Sequence, residues 1–154
     1  MTYNMDFLIA AMVILLLILW YFWGQKRAEN LNNQVFFFWT VLGIMDVTAE
    51  LISTYYITSE RGKFGIMATV FYLLQALLPY TWICYIQTLH EKKIISTKKM
   101  LLSGVPTFCL ISVILTNPFT ERLFYFDLSA GYIKGPWYML MYYSALGHFV
   151  AAFF

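Results

Sequence analysis

Asn117-Pro-Phe-Thr-Glu-Arg-Leu-Phe-Tyr-Phe-Asp-Leu-Ser-Ala-Gly-Tyr-Ile-Lys-Gly-Pro-Trp137 is the one long polar interruption in the second half of the chain. Asn117-Pro118 is a strong turn opener. Gly135-Pro136 reads as a loop stop followed by proline in a first helical turn. Between them, Leu123 to Phe126 and Tyr132 to Lys134 are short β-prone runs. They flank Asp127-Leu-Ser-Ala-Gly131, a turn-rich connector. The stretch therefore predicts a small hairpin or lid between two apolar helices. So many aromatic side chains would be costly in water, so the hairpin is expected to fold back onto the bundle.

Outward from this stretch the chain is greasy. It is 61% hydrophobic and 12% charged, with a mean hydropathy of +0.67. Soluble domains carry about 25% charged residues, so the chain is read as an integral membrane protein. Its net charge of +2 is too small to suggest nucleic acid. Cys84 and Cys109 lie in apolar runs with no paired spacing and read as small buried thiols.

Five apolar runs follow in order: Met5–Trp23, about Val35–Ile57, about Phe64–Leu89, about Met100–Thr116 and about Trp137 onward. About 20 residues span a bilayer. The first has no basic n-region and no cleavage site, so it is a retained span rather than a signal peptide. It lacks polar residues from Phe7 to Leu19 and is expected at the lipid-facing periphery. Lys26 and Arg27 follow span one, and Lys92, Lys93, Lys98 and Lys99 follow span three. Arg61, Lys63, Arg122 and Lys134 fall on the other side, mixed with Glu60, Glu121 and Asp127. The bias puts the N-terminus and the hairpin outside and the lysine-rich link inside. The last run reaches Phe154 without a closing anchor, which suggests the N-terminal part of a longer protein.

The pattern Asn117-Pro118-Phe119, Leu123-Phe124-Tyr125-Phe126-Asp127, Gly131-Tyr132 and Lys134-Gly135-Pro136 resembles the N-terminal membrane module of Firmicute signalling proteins with GGDEF-type diguanylate cyclase domains. Related seven-span sensor histidine kinases have a similar loop. Asn33-Gln34-Val35-Phe36, Met45-Asp46, and Gln75, Leu78, Pro79 and Tyr85 are similar to the second and third spans of those modules. The resemblance runs from Met5 to about Leu146 and implies a sensory input role. Such modules have more spans and a cytoplasmic output domain; no GGDEF signature, phospho-acceptor region or nucleotide-binding glycines occur in these residues.

Asp46 and Glu50, four residues apart on one face of span two, are the sharpest site candidates. Acids at that depth usually face a bundle interior. They would bind a cation, share a proton or receive a ligand amine; alternatively they hydrogen-bond to Gln75, to tyrosines or to backbone freed by Pro79. Pro79 removes one helical hydrogen bond and serves as a hinge or a static kink. His148 reads as a hydrogen-bonding core residue rather than a metal ligand. Ser144, Gly147, His148 and Ala151 form a stripe suited to close helix contact. Tyr142 and its neighbours Tyr132, Tyr138 and Tyr143 line an aromatic pocket or an interfacial belt. No catalytic motif, metal set or cofactor signature is legible.

The expectation is thus an all-α polytopic bundle of about five spans, 1–154 forming one sensory module of a bacterial cytoplasmic membrane, itself no enzyme. Its partners would be the bilayer, an unknown small ligand and, through the full-length protein, a second copy. The rival expectation is a transporter or channel module with Asp46 and Glu50 as a midplane ion site.

Overall fold

The computed structural model describes residues 5–24, 31–59, 61–91, 97–127 and 131–152. Helices α1 (Met5–Gly24), α2 (Leu31–Ser59), α3 (Arg61–Glu91) and α4 (Thr97–Thr120) are followed by strands β1 (Phe124–Asp127) and β2 (Gly131–Lys134) and by α5 (Met139–Ala151). The first four are long and apolar enough to cross a membrane, over Met5–Trp23, Asn32–Tyr56, Gly65–Leu89 and Met100–Thr120. The 13 residues of α5 fall short of that length. The basic flanks at Lys26, Arg27, Lys92 and Lys93, and Glu60 opposite them, lie outside the described residues.

Several hydroxyl groups within the spans are satisfied by their own helix, as hydrocarbon demands. Thr40 donates to Phe36 O at 2.9 Å, Thr48 to Ile44 O at 2.7 Å and Ser112 to Phe108 O at 3.0 Å. These back-bonds let polar residues sit on apolar helices at no cost in unpaired groups.

The helix α3 is the hub. It packs on α2, α4, α5 and β1, while α1 packs chiefly on α2. As the sequence predicts, α1 is peripheral. One side of α3 joins α2 in a cluster of Leu42, Ala49 and Leu74. The other side carries Ala68, Tyr72 and Ala76 into a core with Leu110, Ile114, Leu123, Phe124 and Met141. Phe124 and Leu123 are nearly sealed from solvent, so the hairpin is part of the core and not a loose loop. Because it packs near the start of α3, it lies at the opposite end of the bundle from the α3–α4 link.

The strands pair antiparallel in register Phe124↔Lys134, Tyr125↔Ile133, Phe126↔Tyr132 and Asp127↔Gly131. Gly131 has φ +80, where an L side chain is disfavoured. The connector residues 128–130 lie outside the described residues.

Two expectations are corrected. Asn117-Pro118 does not open the turn: both residues belong to α4, which continues to Thr120. Pro118 removes only one helical hydrogen bond, and Asn117 spends its side chain on the hairpin instead of on its own backbone. The chain leaves the helix at Glu121, whose φ is +52 and whose N–H donates to Asn117 O at 2.8 Å. Cys109 is exposed rather than buried, on the outward face of α4 that hydrocarbon would cover; Cys84 is half-buried.

Candidate functional site

The acid pair sits on α2, and neighbours define where it points. Leu42 and Ala49 mark the side that meets α3. Gly43 faces Leu15, and the Phe36 ring lies 4.8 Å from Phe22, which marks the side that meets α1. At about 100° per residue, Asp46 and Glu50 fall between these two sides. Both are half-buried, and Asp46 Oδ1 is enclosed without a hydrogen-bond partner among the described residues. The hydrogen-bonded alternative read from sequence is therefore not what Asp46 Oδ1 adopts.

Gln75 reaches the same level by register. The Trp39 and Trp82 rings lie 5.4 Å apart across the antiparallel α2–α3 pair. Asp46 is seven residues beyond Trp39 on α2, and Gln75 is seven residues before Trp82 on α3. Two turns of helix separate each from the tryptophan pair, so the two stack on the same side at one height. Gln75 is exposed on that side rather than packed over the carboxyl. Pro79, inside α3, has no N–H to give to the Gln75 carbonyl four residues back. A carboxyl pair, an amide and a freed carbonyl thus share one level of the apolar spans. Below it, Phe22, Phe36, Trp39, Trp82 and Tyr85 form a chain of ring contacts.

His148 and Tyr142 serve elsewhere. His148 is buried between α4 and α5. Its Nδ1–H donates to Ser144 O at 2.7 Å, and its Nε2 meets the Thr107 hydroxyl at 3.0 Å. A carbonyl accepts only, so Nδ1 carries the proton and Nε2 accepts from Thr107 in the neutral ring. Both nitrogens are occupied, and His148 acts as a cross-link. A Cβ added at Gly147 would meet no atom within 4 Å among the described residues, so of the stripe His148 makes the close helix contact and Gly147 does not. Tyr142 is exposed, its ring 5.6 Å from Tyr138.

The hairpin motif is built from buried polar contacts. Asn117 Nδ2 donates to Phe124 O at 2.9 Å, and Leu123 N–H donates to Asn117 Oδ1 at 2.7 Å. Gly135 N–H donates to Leu123 O at 2.7 Å and Trp137 N–H to Arg122 O at 2.9 Å. A Cβ on Gly135 would fall 2.2 Å from Arg122 O, so only glycine allows this approach. Pro136 begins the turn in which Tyr138 N–H donates to Gly135 O at 3.1 Å, leading into α5. The Tyr72 hydroxyl bonds to that of Tyr132, and the Tyr72 ring stacks on Phe124 at 4.8 Å. Arg122 and Lys134 each lie 4.3 Å over a ring, of Trp137 and Tyr138 respectively. Asp127, half-buried, closes β1 opposite Gly131.

Sequence reasoning missed a cleft of about 560 Å³ between the start of α3, the end of α4 and β1. It also missed Tyr72 and Thr107, for which spacing carries no signal because their partners lie 60 and 41 residues away. No group of three or more potential metal ligands occurs among the described residues. Comparison with protein-family models, curated proteins and solved structures finds no match for the chain.

Proposed function

We propose that the chain is the membrane-embedded input module of a bacterial signal-transduction protein. In this reading α5 is the beginning of a fifth span, the N-terminus and the hairpin lie outside, and a cytoplasmic GGDEF-type diguanylate cyclase follows in the same polypeptide, which acts as a homodimer. The observation that carries the reading is the placement of α3. Tyr72 on one side of this helix holds the hairpin, and Leu74 on the other packs against Leu42 and Ala49, on the α2 side next to Asp46. A ligand that shifts the hairpin must therefore displace the helix lining the acid level, and a change at the acids must displace the hairpin. Input of this kind needs two packings with different affinity for the signal.

The test is cyclic-dinucleotide content in cells expressing the full gene product. Asp46→Asn and Glu50→Gln are expected to abolish the signal-dependent change while membrane expression is retained. Equal responses from the parent and both variants would overturn the reading.

A second reading, a transport module, is favoured by one observation: the enclosed Asp46 Oδ1, at a level shared with Gln75, has no hydrogen-bond partner among the described residues. An unpaired carboxyl in a low-dielectric site is where a carried proton or cation would reside. Proton or cation uptake by liposomes containing the purified chain, lost in Asp46→Asn, would select it.

A further inference from the structure

The cleft beside the hairpin is distinct from the acid pair and has a chemistry of its own. Its walls include Ile66, Val70, Leu115 and Phe126, with Phe124 and Tyr125 from β1. Its volume of about 560 Å³ falls in the range of small-molecule sites. Two of its four polar side chains are already spent. The Thr69 hydroxyl donates to Gly65 O at 2.8 Å, and Asn117 holds the backbone of Leu123 and Phe124. What is left is the Tyr125 hydroxyl and the Glu121 carboxylate, neither with a hydrogen bond from its side chain among the described residues. Glu121 is the one charged residue among those lining the cleft. The guanidinium of the neighbouring Arg122 lies over the Trp137 ring.

Glu121 also holds an unusual backbone. Its φ of +52 is the left-handed conformation that ends α4. Glycine or asparagine is the ordinary choice at such a helix end. A glutamate there is disfavoured, and residues kept in such conformations cluster at functional sites. The residue at this helix end also lines the apolar, aromatic-walled cleft.

We propose that this cleft binds a free amphiphilic cation, an apolar or aryl body carrying one quaternary ammonium or phosphonium centre. The body replaces hydrocarbon against Ile66, Val70 and Leu115. The positive centre sits between the Glu121 carboxylate and the β1 rings, where ring faces add cation–π attraction. Exposed Ile66 and Leu115 at the rim give such a molecule lateral entry from the bilayer. The site does not depend on the acid pair of α2, so it stands or falls separately from the signalling reading.

The experiment is equilibrium dialysis of tetraphenylphosphonium against the purified chain in detergent micelles, with empty micelles as blank. Tetraphenylborate serves as the anion of matching shape. Saturable binding of the phosphonium and none of the borate is expected. Glu121→Gln and Glu121→Gly should each weaken binding at least tenfold. The glycine variant relieves the left-handed strain, so it folds at least as well as the parent and its loss cannot be ascribed to misfolding. Val70→Trp, which fills the cleft, should abolish binding. Uptake no greater than by empty micelles, equal binding by the parent and the Glu121 variants, or equal binding of the borate would overturn the proposal. So would displacement of the probe by added phosphatidylcholine, which would make the occupant a lipid headgroup.

Discussion

Asn117 ties the end of α4 to the first strand of the hairpin by polar contacts inside the core they share. Its one amide satisfies a buried donor on Leu123 and a buried acceptor on Phe124. Asn117→Ala leaves both groups unpaired, and each buried orphan costs about 1–3 kcal/mol. Asn117→Asp keeps the acceptor for Leu123 but, when ionised, sets a buried carboxylate oxygen against the Phe124 carbonyl, so it should be at least as damaging as alanine. Thermal unfolding in detergent, followed by tryptophan fluorescence, checks this order. Gly135→Ala is expected to be comparably damaging, about 1–3 kcal/mol, because its new methyl would meet a backbone carbonyl that cannot swing away. A melting temperature equal to the parent's would show that Arg122 O yields easily. Motif residues such as Asn117, Gly131, Gly135 and Pro136 stand out in the sequence as turn chemistry. That Asn117 works from inside a helix does not, because an Asn-Pro pair looks the same whether its side chain turns to its own backbone or to a strand.

The hairpin is held as an element by Tyr72, which both stacks on Phe124 and bonds to the Tyr132 hydroxyl. Tyr72→Phe keeps the stack and removes the bond, a loss of about 1 kcal/mol. Amide exchange at Gly135 and Leu123 should then quicken several-fold while the α2–α3 helices exchange as before. An unchanged hairpin would mean that Asn117 and the apolar core alone fix it. Helices and strands were legible from runs and turn residues, as in Leu123–Phe126 and Tyr132–Lys134, since each depends on neighbours within a few positions. The continuation of α4 past Pro118 and the α4–α5 cross-link of Thr107 with His148 were not legible. Partners 41 residues apart leave no periodic trace.

At the scale of the whole molecule, the acid level divides structural from functional roles. Asp46 Oδ1 is enclosed without a hydrogen-bond partner among the described residues, while its helix neighbours Leu42 and Ala49 are buried apolar residues. If Asp46 is kept for function, it lowers stability, and Asp46→Leu should raise the melting temperature of the purified chain by the equivalent of about 1–3 kcal/mol. A lower melting temperature would instead make the carboxyl a strut of the bundle. The same variant is expected to lose signal-dependent output, an exchange of activity for stability that a purely structural acid does not produce.

Composition and run length by themselves determined that this chain is a helical membrane protein, with a hairpin after the fourth apolar run. These follow from local physics: apolar runs must bury their backbone polar groups in helices, and turn residues must break them. Only the tertiary structure decided that the hairpin is core rather than cover, that Asp46 and Glu50 lie between the α1 and α3 sides of α2 with Gln75 at Asp46's level, and that Glu121 lines a cleft. Those arrangements depend on which helix faces meet, a choice made by packing among residues far apart in the chain.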